Sequence, residues 1–490
     1  MNSSLRIACA LLAWGVIAAS CAVPLAIPTV PTPEPPAATP IDGPTPIPVR
    51  TPFPPGQPFD YIIQTGDTLP AVAAHFHTTV DEIRSANPQI PDEVTTLPEG
   101  LPLVVPAYYL PLTTSAFKIL PDSEVVNGPS AVSFHLRTEL AGYPGYVSGL
   151  NDYAFAQMRE AWDVIGVVAR NYSVHPRLLL ALLEHQTGAL YQPSADEITA
   201  TYPLAYENAR YRGLYRQLIW AAERLNDGYY GWRTGTLKEF ELADGLLARP
   251  DPWLNAGTVA VQYLFAGLYG MQEFSAAIGP GGFHATYRAL WGDPFDLAQA
   301  HIPGNLQQPN FGLPFAPNRV WDYSGGPHFS WGTCLPLGAL DFAPPAAVGG
   351  CAPSTEWATA PAAGVITRSE AAMVVLDLDG DREDRTGWAL LFFHIAEDGR
   401  VPVGAEVQPG DPIGHPSCEG GQATGTHFHL ARKYNGEWIP AGGAVPFMMD
   451  GWVAGYGDAP YLGTLTKGSK VLDACTCSTS ANRILYELPK

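Results

Sequence analysis

The chain has 490 residues, 46% of them hydrophobic and 15% charged, so most of it must fold, and it is long enough for about two to four domains. It carries 27 Lys and Arg against 47 Asp and Glu, a net charge of −20. Nucleic-acid binding depends on clusters of basic side chains, so this composition argues against a nucleic-acid partner. A neutral or peptide-like ligand fits it better.

The first 21 residues have the layout of a secretory signal. One basic residue, Arg6, precedes an apolar run from Ile7 to Ala19, and small residues lead to Cys21. The sequence before and including Cys21 resembles a bacterial lipobox, so we expect a lipid on that cysteine to hold the protein at a membrane. Simple cleavage and an uncleaved anchor are the alternatives, and all three place the rest of the chain outside the cytoplasm.

Residues 22–58 contain 14 prolines among Thr, Ala and Val. Such a composition favours extended polyproline II over a packed fold. We therefore expect a spacer that holds the following domains away from the membrane.

Residues 59–108 predict a small α+β domain. A strand near Tyr61 is followed by a helix capped by Thr68, a second helix that starts at Thr79 and ends before Pro88, and a closing strand from Leu101. His75 and His77 are expected to be solvated.

This segment resembles a LysM domain, with matching anchors at Gly66-Asp67-Thr68-Leu69, Asn87-Pro88 and Leu103-Val104-Val105-Pro106. The resemblance implies a βααβ fold that binds N-acetylglucosamine-containing glycans, chiefly peptidoglycan. The implied glycan groove lies between the first and second of these anchors. Its residues would be Gly66, Asp67, Thr68, Leu69 and Asn87.

Residues 109–303 show helical periodicity and predict an all-α middle domain. The clearest segments are 154–172, 176–185, 211–226, 255–269 and 283–291. The second is apolar on every side until Glu184, so we expect a buried helix whose acid emerges at its end. It weakly resembles the helix of lysozyme-like transglycosylases that ends in a catalytic Glu. A helical domain that only packs or binds glycan is the alternative.

Residues 304–490 consist of short apolar runs separated by Gly and Pro, the pattern of a mainly antiparallel β domain. Five cysteines lie in this part, and disulfides are the expected state in an oxidising compartment. Cys334 and Cys351 bracket a loop rich in Pro and Gly and are the preferred pair.

The run that ends in His427-Phe428-His429 places two imidazoles on one face if it is extended, which suggests a metal. Together with Gly326-Pro327-His328, Leu340-Asp341-Phe342 and His394, which is expected within a strand over 388–395, it resembles a lysostaphin-type zinc metallopeptidase.

The commoner form of that family has its first metal histidine four residues before the Asp, where this chain has Leu337. The beta-lytic and staphylolysin-type branch uses a Gly-x-His and a longer loop, which His328 matches. The resemblance implies one Zn²⁺ held by His328, Asp341 and His429, with a fourth position open for water. It implies His394 and His427 as the catalytic pair that handles protons and charge, without deciding which does which.

The sequence thus predicts a secreted or lipid-anchored peptidoglycan hydrolase, a zinc endopeptidase that cuts cross-link peptides in the bacterial cell envelope. One alternative is an inactive wall-binding scaffold or hydrolase activator. Another is a bifunctional enzyme that also cleaves glycan through Glu184.

Overall fold

The computed structural model describes residues 53–108, 114–155, 157–345 and 349–487. The predicted signal, the lipid site at Cys21 and nearly all of the proline-rich spacer lie outside these residues. Within the described ranges, no helix combines the length and apolar character needed to cross a membrane.

The first module has the predicted strand–helix–helix–strand order: β1 (Gln57–Ile62), α1 (Leu69–His75), α2 (Val80–Ala86) and β2 (Pro102–Ala107). The two strands pair antiparallel. The Thr68 hydroxyl accepts a hydrogen bond from the amide of Ala71, and Thr79 and Glu82 form a reciprocal capping box. These caps satisfy amides at the helix starts that otherwise lack partners, which is why both helices begin where the sequence predicts.

The middle region is helical, as predicted. Its elements are α3 (Leu136–Leu140), β3 (Asn151–Ala154), β4 (Gln157–Glu160), α4 (Ala161–Tyr172), α5 (Pro176–Thr187), α6 (Glu197–Thr201), α7 (Leu214–Arg233), β5 (Phe240–Glu241), β6 (Leu247–Ala248), α8 (Ala256–Ala266), α9 (Met271–Ala277) and α10 (Phe283–Trp291). Helix α5 is buried from Leu178 to Leu183, and Glu184 emerges half-buried at its end.

The helix expected to begin at Ala154 begins only at Ala161, because β3 and β4 form a hairpin before it. The hairpin residues Tyr153 and Met158 are directly paired and more than half exposed. A helix through this segment would have no apolar stripe to bury, so tertiary packing would add little to its stability.

The last module is an antiparallel β domain, again as predicted. Its strands are β7 (Val320–Trp331), β8 (Cys334–Ala343), β9 (Ala358–Thr359), β10 (Gly364–Glu370), β11 (Met373–Asp377), β12 (Trp388–Phe393), β13 (Glu406–Val407), β14 (Pro412–Gly414), β15 (Phe428–Tyr434), β16 (Glu437–Trp438), β17 (Met448–Met449), β18 (Trp452–Tyr456), β19 (Gly463–Lys467), β20 (Lys470–Asp473) and β21 (Arg483–Leu485). The main sheet has the order β13-β10-β11-β12-β15-β8-β7-β21, and β16 pairs with β15. Strands β17 to β20 form a separate four-stranded sheet.

The two faces of the main sheet bury against different partners. Along β15, Phe428 and Leu430 lie in the core of the β domain, whereas Ala431 lies in the core of the helical region. Since successive side chains of a strand point to opposite faces, His429 shares its face with Ala431. The helical region therefore packs on the same face of the sheet that carries the histidines.

The first module also docks on the helical region. His75, expected in solvent, is buried and stacks on the ring of Trp232 with centroids 3.6 Å apart, while its Nε2 lies 2.9 Å from the Trp232 carbonyl oxygen. The sequence could not show this partner, because it lies 157 residues away. Burial lowers the pKa of His75 to about 3, so the ring packs as a neutral group.

A buried ion cluster joins all three modules. The guanidinium of Arg233 contacts Asp122 in the helical region at 3.1 Å and Glu437 in the β domain at 2.9 Å, and it donates to the carbonyl of Thr65 in the first module. Burial alone would raise the pKa of Glu437, but Arg233 and His301 hold it at about 2. Both carboxylates therefore depend on the same guanidinium.

The disulfide prediction was wrong. Cys351 pairs with Cys418, Cys475 pairs with Cys477, and Cys334 is a buried free thiol. The Cys334 sulfur lies at the start of β8 beside Asn226 of the helical region, whereas the loop at Cys351 meets the loop that precedes β15. Proximity in the sequence was a poor guide, because β8 carries the chain away from Cys334.

Replacement of Arg233 by Ala should destabilise the protein by about 3–5 kcal/mol, because it leaves two carboxylates buried without a counter-charge. Urea unfolding followed by tryptophan fluorescence measures this loss. The matched control is Arg319→Ala, which breaks a contact with Glu356 in which the Arg319 side chain is 56% exposed, and which should cost less than about 1 kcal/mol. Equal losses in the two variants would contradict the assignment of the cluster as a buried, coupled unit.

Candidate metal centre

Three adjacent strands bring His328, Asp341 and His429 together. His328 lies in β7, Asp341 in β8 and His429 in β15, and His429 is the direct cross-strand partner of Asp341. One ligand atom from each residue lies within 4.8 Å of the others, and all three residues are buried. The structure thus collects the three predicted metal ligands in one place.

Backbone carbonyls orient both imidazoles. His328 Nδ1 lies 2.8 Å from the carbonyl oxygen of Gly326, and His429 Nε2 lies 3.1 Å from that of Ser330. Each of these nitrogens must carry a hydrogen atom to donate to a carbonyl. The second nitrogen of each ring is therefore the one whose lone pair can bind a metal ion. Those two nitrogens, His328 Nε2 and His429 Nδ1, are 2.9 Å apart.

The carboxylate completes the set. Asp341 Oδ1 lies 3.2 Å from His328 Nε2 and 3.6 Å from His429 Nδ1. It is buried, yet it accepts no hydrogen bond of good geometry from the residues that the structure describes. Two imidazoles and one carboxylate, with a buried acceptor left over, fit the donor set of a catalytic zinc site.

The electrostatics favour a cation at this point. Burial alone would lower the pKa of His328, but Asp341 raises it. Burial alone would raise the pKa of Asp341, but the neighbouring His328 holds it well below its usual range. Burial, together with His328, lowers the pKa of His429 to about 3. A divalent cation held here would compete with a proton for His328 Nε2, because a histidine ligates a metal through an unprotonated nitrogen.

The two remaining histidines lie beside the cluster with their rings 4.6 Å apart. His427 Nδ1 lies 2.7 Å from the carbonyl oxygen of Gly425, and His394 Nδ1 lies 2.8 Å from that of Glu419. Both rings therefore have Nε2 free, and His427 Nε2 is 3.9 Å from Asp341 Oδ2. Burial lowers the pKa of His394 below its ordinary value, with a further contribution from His427.

The strand expected over 388–395 ends at Phe393 instead. His394 follows it with a left-handed backbone, φ 62°. Such a conformation takes a side chain out of the regular alternation of a strand. This explains how His394 reaches His427 rather than the next strand.

Sequence reasoning missed one aromatic side chain of the site. Tyr461 stacks on His328 with ring centroids 4.2 Å apart, and its carbonyl accepts from the amide of Gly326. It lies between β18 and β19, in a tail to which the sequence assigns no role. No neighbouring motif marks it, because only the docking of that small sheet brings it to His328.

A cleft of about 730 Å³ opens onto these residues. The described residues that form its walls lie between positions 324 and 476. One wall is the loop from Gly421 to Thr426, whose side chains are small or neutral. The helical region packs on the same sheet face, but none of its described residues lines the cleft.

The five residues expected to bind glycan divide into two groups. Gly66, Thr68 and Leu69 line a second cavity, of about 590 Å³, that is also bounded by the helical and β modules. The Asp67 carboxylate instead accepts from the Tyr61 hydroxyl at 2.6 Å, and burial raises its pKa to about 6. The Asn87 amide is buried and bonds the backbone of Ile83 and Val104. Asp67 and Asn87 thus fix the loops of the module.

Glu184 lies outside the metal cluster. One of its carboxylate oxygens, Oε2, accepts the amide of Leu190 at 2.8 Å, which ties down the turn after α5. The backbone of Gly188 at that turn is left-handed. The contacts of Glu184 are therefore those of a side chain that closes a helix end.

A buried set of two imidazoles and a carboxylate, with a histidine pair in an adjoining cleft, defines a hydrolytic metalloenzyme centre on an antiparallel sheet. A family model described as the LysM domain matches residues 61–106, and one described as the LasA N-terminal domain matches residues 118–304. Protease LasA of Pseudomonas aeruginosa is 26% identical over 355 residues, which cover 64% of this chain and 80% of that protein. Together with the geometry of the site, these similarities support a LysM-containing, lysostaphin-like metallopeptidase.

Two solved structures resemble part of this chain. The M23 metalloprotease pseudoalterin, from the deep sea, is 25% identical with a TM-score of 0.30, and the alignment covers 34% of this chain and 96% of that one. The catalytic domain of lysostaphin from Staphylococcus simulans is 20% identical with a TM-score of 0.17, covering 25% of this chain and 90% of that one.

Gly325 permits the carboxylate of Asp341 to sit where it does. A Cβ atom at Gly325 would lie 2.5 Å from Asp341 Oδ2. Replacement of Gly325 by Ala should therefore displace the carboxylate and weaken Zn²⁺ affinity by roughly 10- to 100-fold, the range seen when the support of a metal ligand is lost. Competition with a chromophoric chelator measures the affinity. Gly349→Ala, where a Cβ meets nothing within 4 Å, is the control and should bind Zn²⁺ as the unchanged protein does.

Proposed function

We propose that this chain is a zinc-dependent endopeptidase that hydrolyses the cross-link peptides of peptidoglycan. The observation that carries the proposal is the convergence of three ligand atoms in one buried place at the edge of a cleft: His328 Nε2, His429 Nδ1 and Asp341 Oδ1, which has no hydrogen bond of good geometry. The small, neutral side chains of the loop from Gly421 to Thr426 suit a peptide of small residues.

In this proposal His328, Asp341 and His429 hold one zinc ion. Zinc, when bound, supplies Lewis acidity toward the scissile carbonyl. The carbonyls of Gly326 and Ser330 fix the tautomers of the two imidazoles, so the ligands are oriented before any ion arrives. Tyr461 covers the ring of His328 and limits its rotation.

His427 and His394 handle the protons. His427 Nε2 is the nearer of the two to the carboxylate of Asp341, so we assign it the proton of the attacking water. The ring of His394 lies beside that of His427, and we assign to His394 the protonation of the leaving amine. The water oxygen bonds to the carbonyl carbon, the C–N bond breaks, and the amine receives the proton that the water lost.

The LysM module would supply glycan binding. Gly66, Thr68 and Leu69 offer their backbone and side chains to the cavity of about 590 Å³, while Asp67 and Asn87 hold the loops in place. Peptidoglycan carries its peptides on glycan strands, so one chain would bind both parts of the same polymer.

Peptidoglycan lies outside the cytoplasm, and so we place the protein there, exported by residues 1–21 and held by a lipid on Cys21. The domain organisation belongs to the same proposal: a spacer over 22–58, a LysM domain over 59–108, a helical domain over 109–303 and the peptidase domain over 304–490. The spacer would let the enzyme reach the wall from a membrane anchor.

Loss of a ligand and loss of a proton-transfer group should give different results. His328→Ala should lose both zinc and activity. His427→Ala and His394→Ala should keep about one zinc per chain and lose about 10²- to 10⁴-fold in kcat, the usual contribution of general acid–base groups. The measurements are metal content by plasma mass spectrometry and release of new amines from purified peptidoglycan.

The control for these variants is His415→Ala. His415 bonds the carbonyl of Glu356 and lies against Trp357, outside the cleft, so zinc content and kcat should stay unchanged. Protein that holds no zinc and releases no amines would favour the wall-binding scaffold instead. New reducing ends that vanish in Glu184→Gln would add a glycan-cleaving activity.

A further inference from the structure

The disulfide between Cys351 and Cys418 joins two loops that border the catalytic cleft. We infer that this bond is a positioning element for His394 and His427, the two proposed proton-transfer groups, and that it is not needed to form the metal centre. The inference rests on the function proposed above.

On one side of the bond, the neighbours of Cys418 hold His394. The amide and the hydroxyl of Ser417 both donate to the carbonyl of His394, at 2.7 and 2.9 Å. The carbonyl oxygen of Glu419 lies 2.8 Å from His394 Nδ1. Both the backbone and the ring of His394 therefore depend on residues directly bonded to Cys418.

On the other side, the neighbours of Cys351 hold the residue before His427. The amide of Thr426 donates to the carbonyl of Gly350 at 2.9 Å, and its hydroxyl donates to that of Ala352 at 2.6 Å. Two bonds from one residue fix the entry of the chain into β15. The position of the His427 backbone thus follows the loop that carries Cys351.

Ser417 links the two supports. Its carbonyl accepts the amide of His427 at 3.4 Å, and Ser417 and His427 form an isolated bridge. With the disulfide intact, the supports of both histidines are one covalently closed unit. Without it, the loop from Glu419 to Thr426, which contains three glycines, has only hydrogen bonds to hold it at its upstream end.

The metal ligands do not share these supports. The carbonyls that orient His328 and His429 belong to Gly326 and Ser330, both in β7, and Asp341 sits within β8. These strands are held by ladder hydrogen bonds to each other and to β15. A change in the disulfide should therefore reach the proton-transfer pair and leave the ligands in place.

The experiment compares the full chain with Cys351→Ser/Cys418→Ser. We expect kcat on peptidoglycan to fall by roughly 10- to 100-fold, because a misplaced catalytic group costs about that much. KM should change by less than about twofold, and zinc content should remain at about one per chain. Amide hydrogen exchange, read by mass spectrometry, should speed up in peptides spanning 417–427 and stay unchanged across β7 and β8.

Two further variants keep the test sharp. Cys334→Ala removes a cysteine that forms no disulfide and should leave kcat and exchange unchanged. Ser417→Ala keeps the disulfide but removes the hydroxyl bond to His394, and should lower kcat about 10-fold with full zinc content. If the double variant fails to fold, this variant tests whether the residues beside Cys418 position His394.

A double variant with unchanged kcat would overturn the inference, as would a loss of zinc in parallel with kcat. Unsubstituted protein that releases no amines would instead refute the proposed function. In that case the exchange rates over 417–427 alone decide whether the bond holds the loop, and unchanged rates would overturn the inference.

Discussion

The register of β15 between β8 and β12 is the constraint on which the site depends. It sets His429 opposite Asp341 on one side and opposite Phe393, the residue before His394, on the other. A slip of one residue would turn His429 into the apolar core and Leu430 into the site, because strand side chains alternate between faces. Phe428 and Leu430, both fully buried, make that slip costly. The packing of Phe428 and Leu430 thus fixes the face of the sheet on which His429 lies.

The modules around this sheet behave as parts of one packed body. A single guanidinium, that of Arg233, touches the LysM module, the helical region and the β domain. Buried charge of this kind tolerates little displacement, since moving one module would leave a carboxylate without its partner in a low-dielectric place. The helical region also covers part of the sheet face that carries His429, while none of its residues that the structure describes lines the cleft. The part of the sheet face that carries the histidines therefore faces the cleft, while the part around Ala431 is buried under the helical region.

The sequence predicted elements well where local chemistry decides them. Thr68 and Thr79 cap their helices through bonds to residues only three positions away, and such signals are readable in any short window. The gathering of His328, Asp341 and His429 was also predicted, but through resemblance to a family and not through spacing. What failed depends on long-range packing. The partner of Cys351, the stacking of His75 on Trp232 and the place of Tyr461 are each set by surfaces that meet only in the folded chain.

The Cys351–Cys418 bond also changes what a backbone cut would do. It closes a ring between residues separated by 67 positions, and His394 lies inside that ring while the three proposed ligands and His427 lie outside it. The segments of the ring around residues 397–399 and 402–404 are exposed at the surface. A protease that nicked the chain there would produce two pieces that stay covalently joined. The ring would thus keep His394 joined to the rest of the site after such a cut.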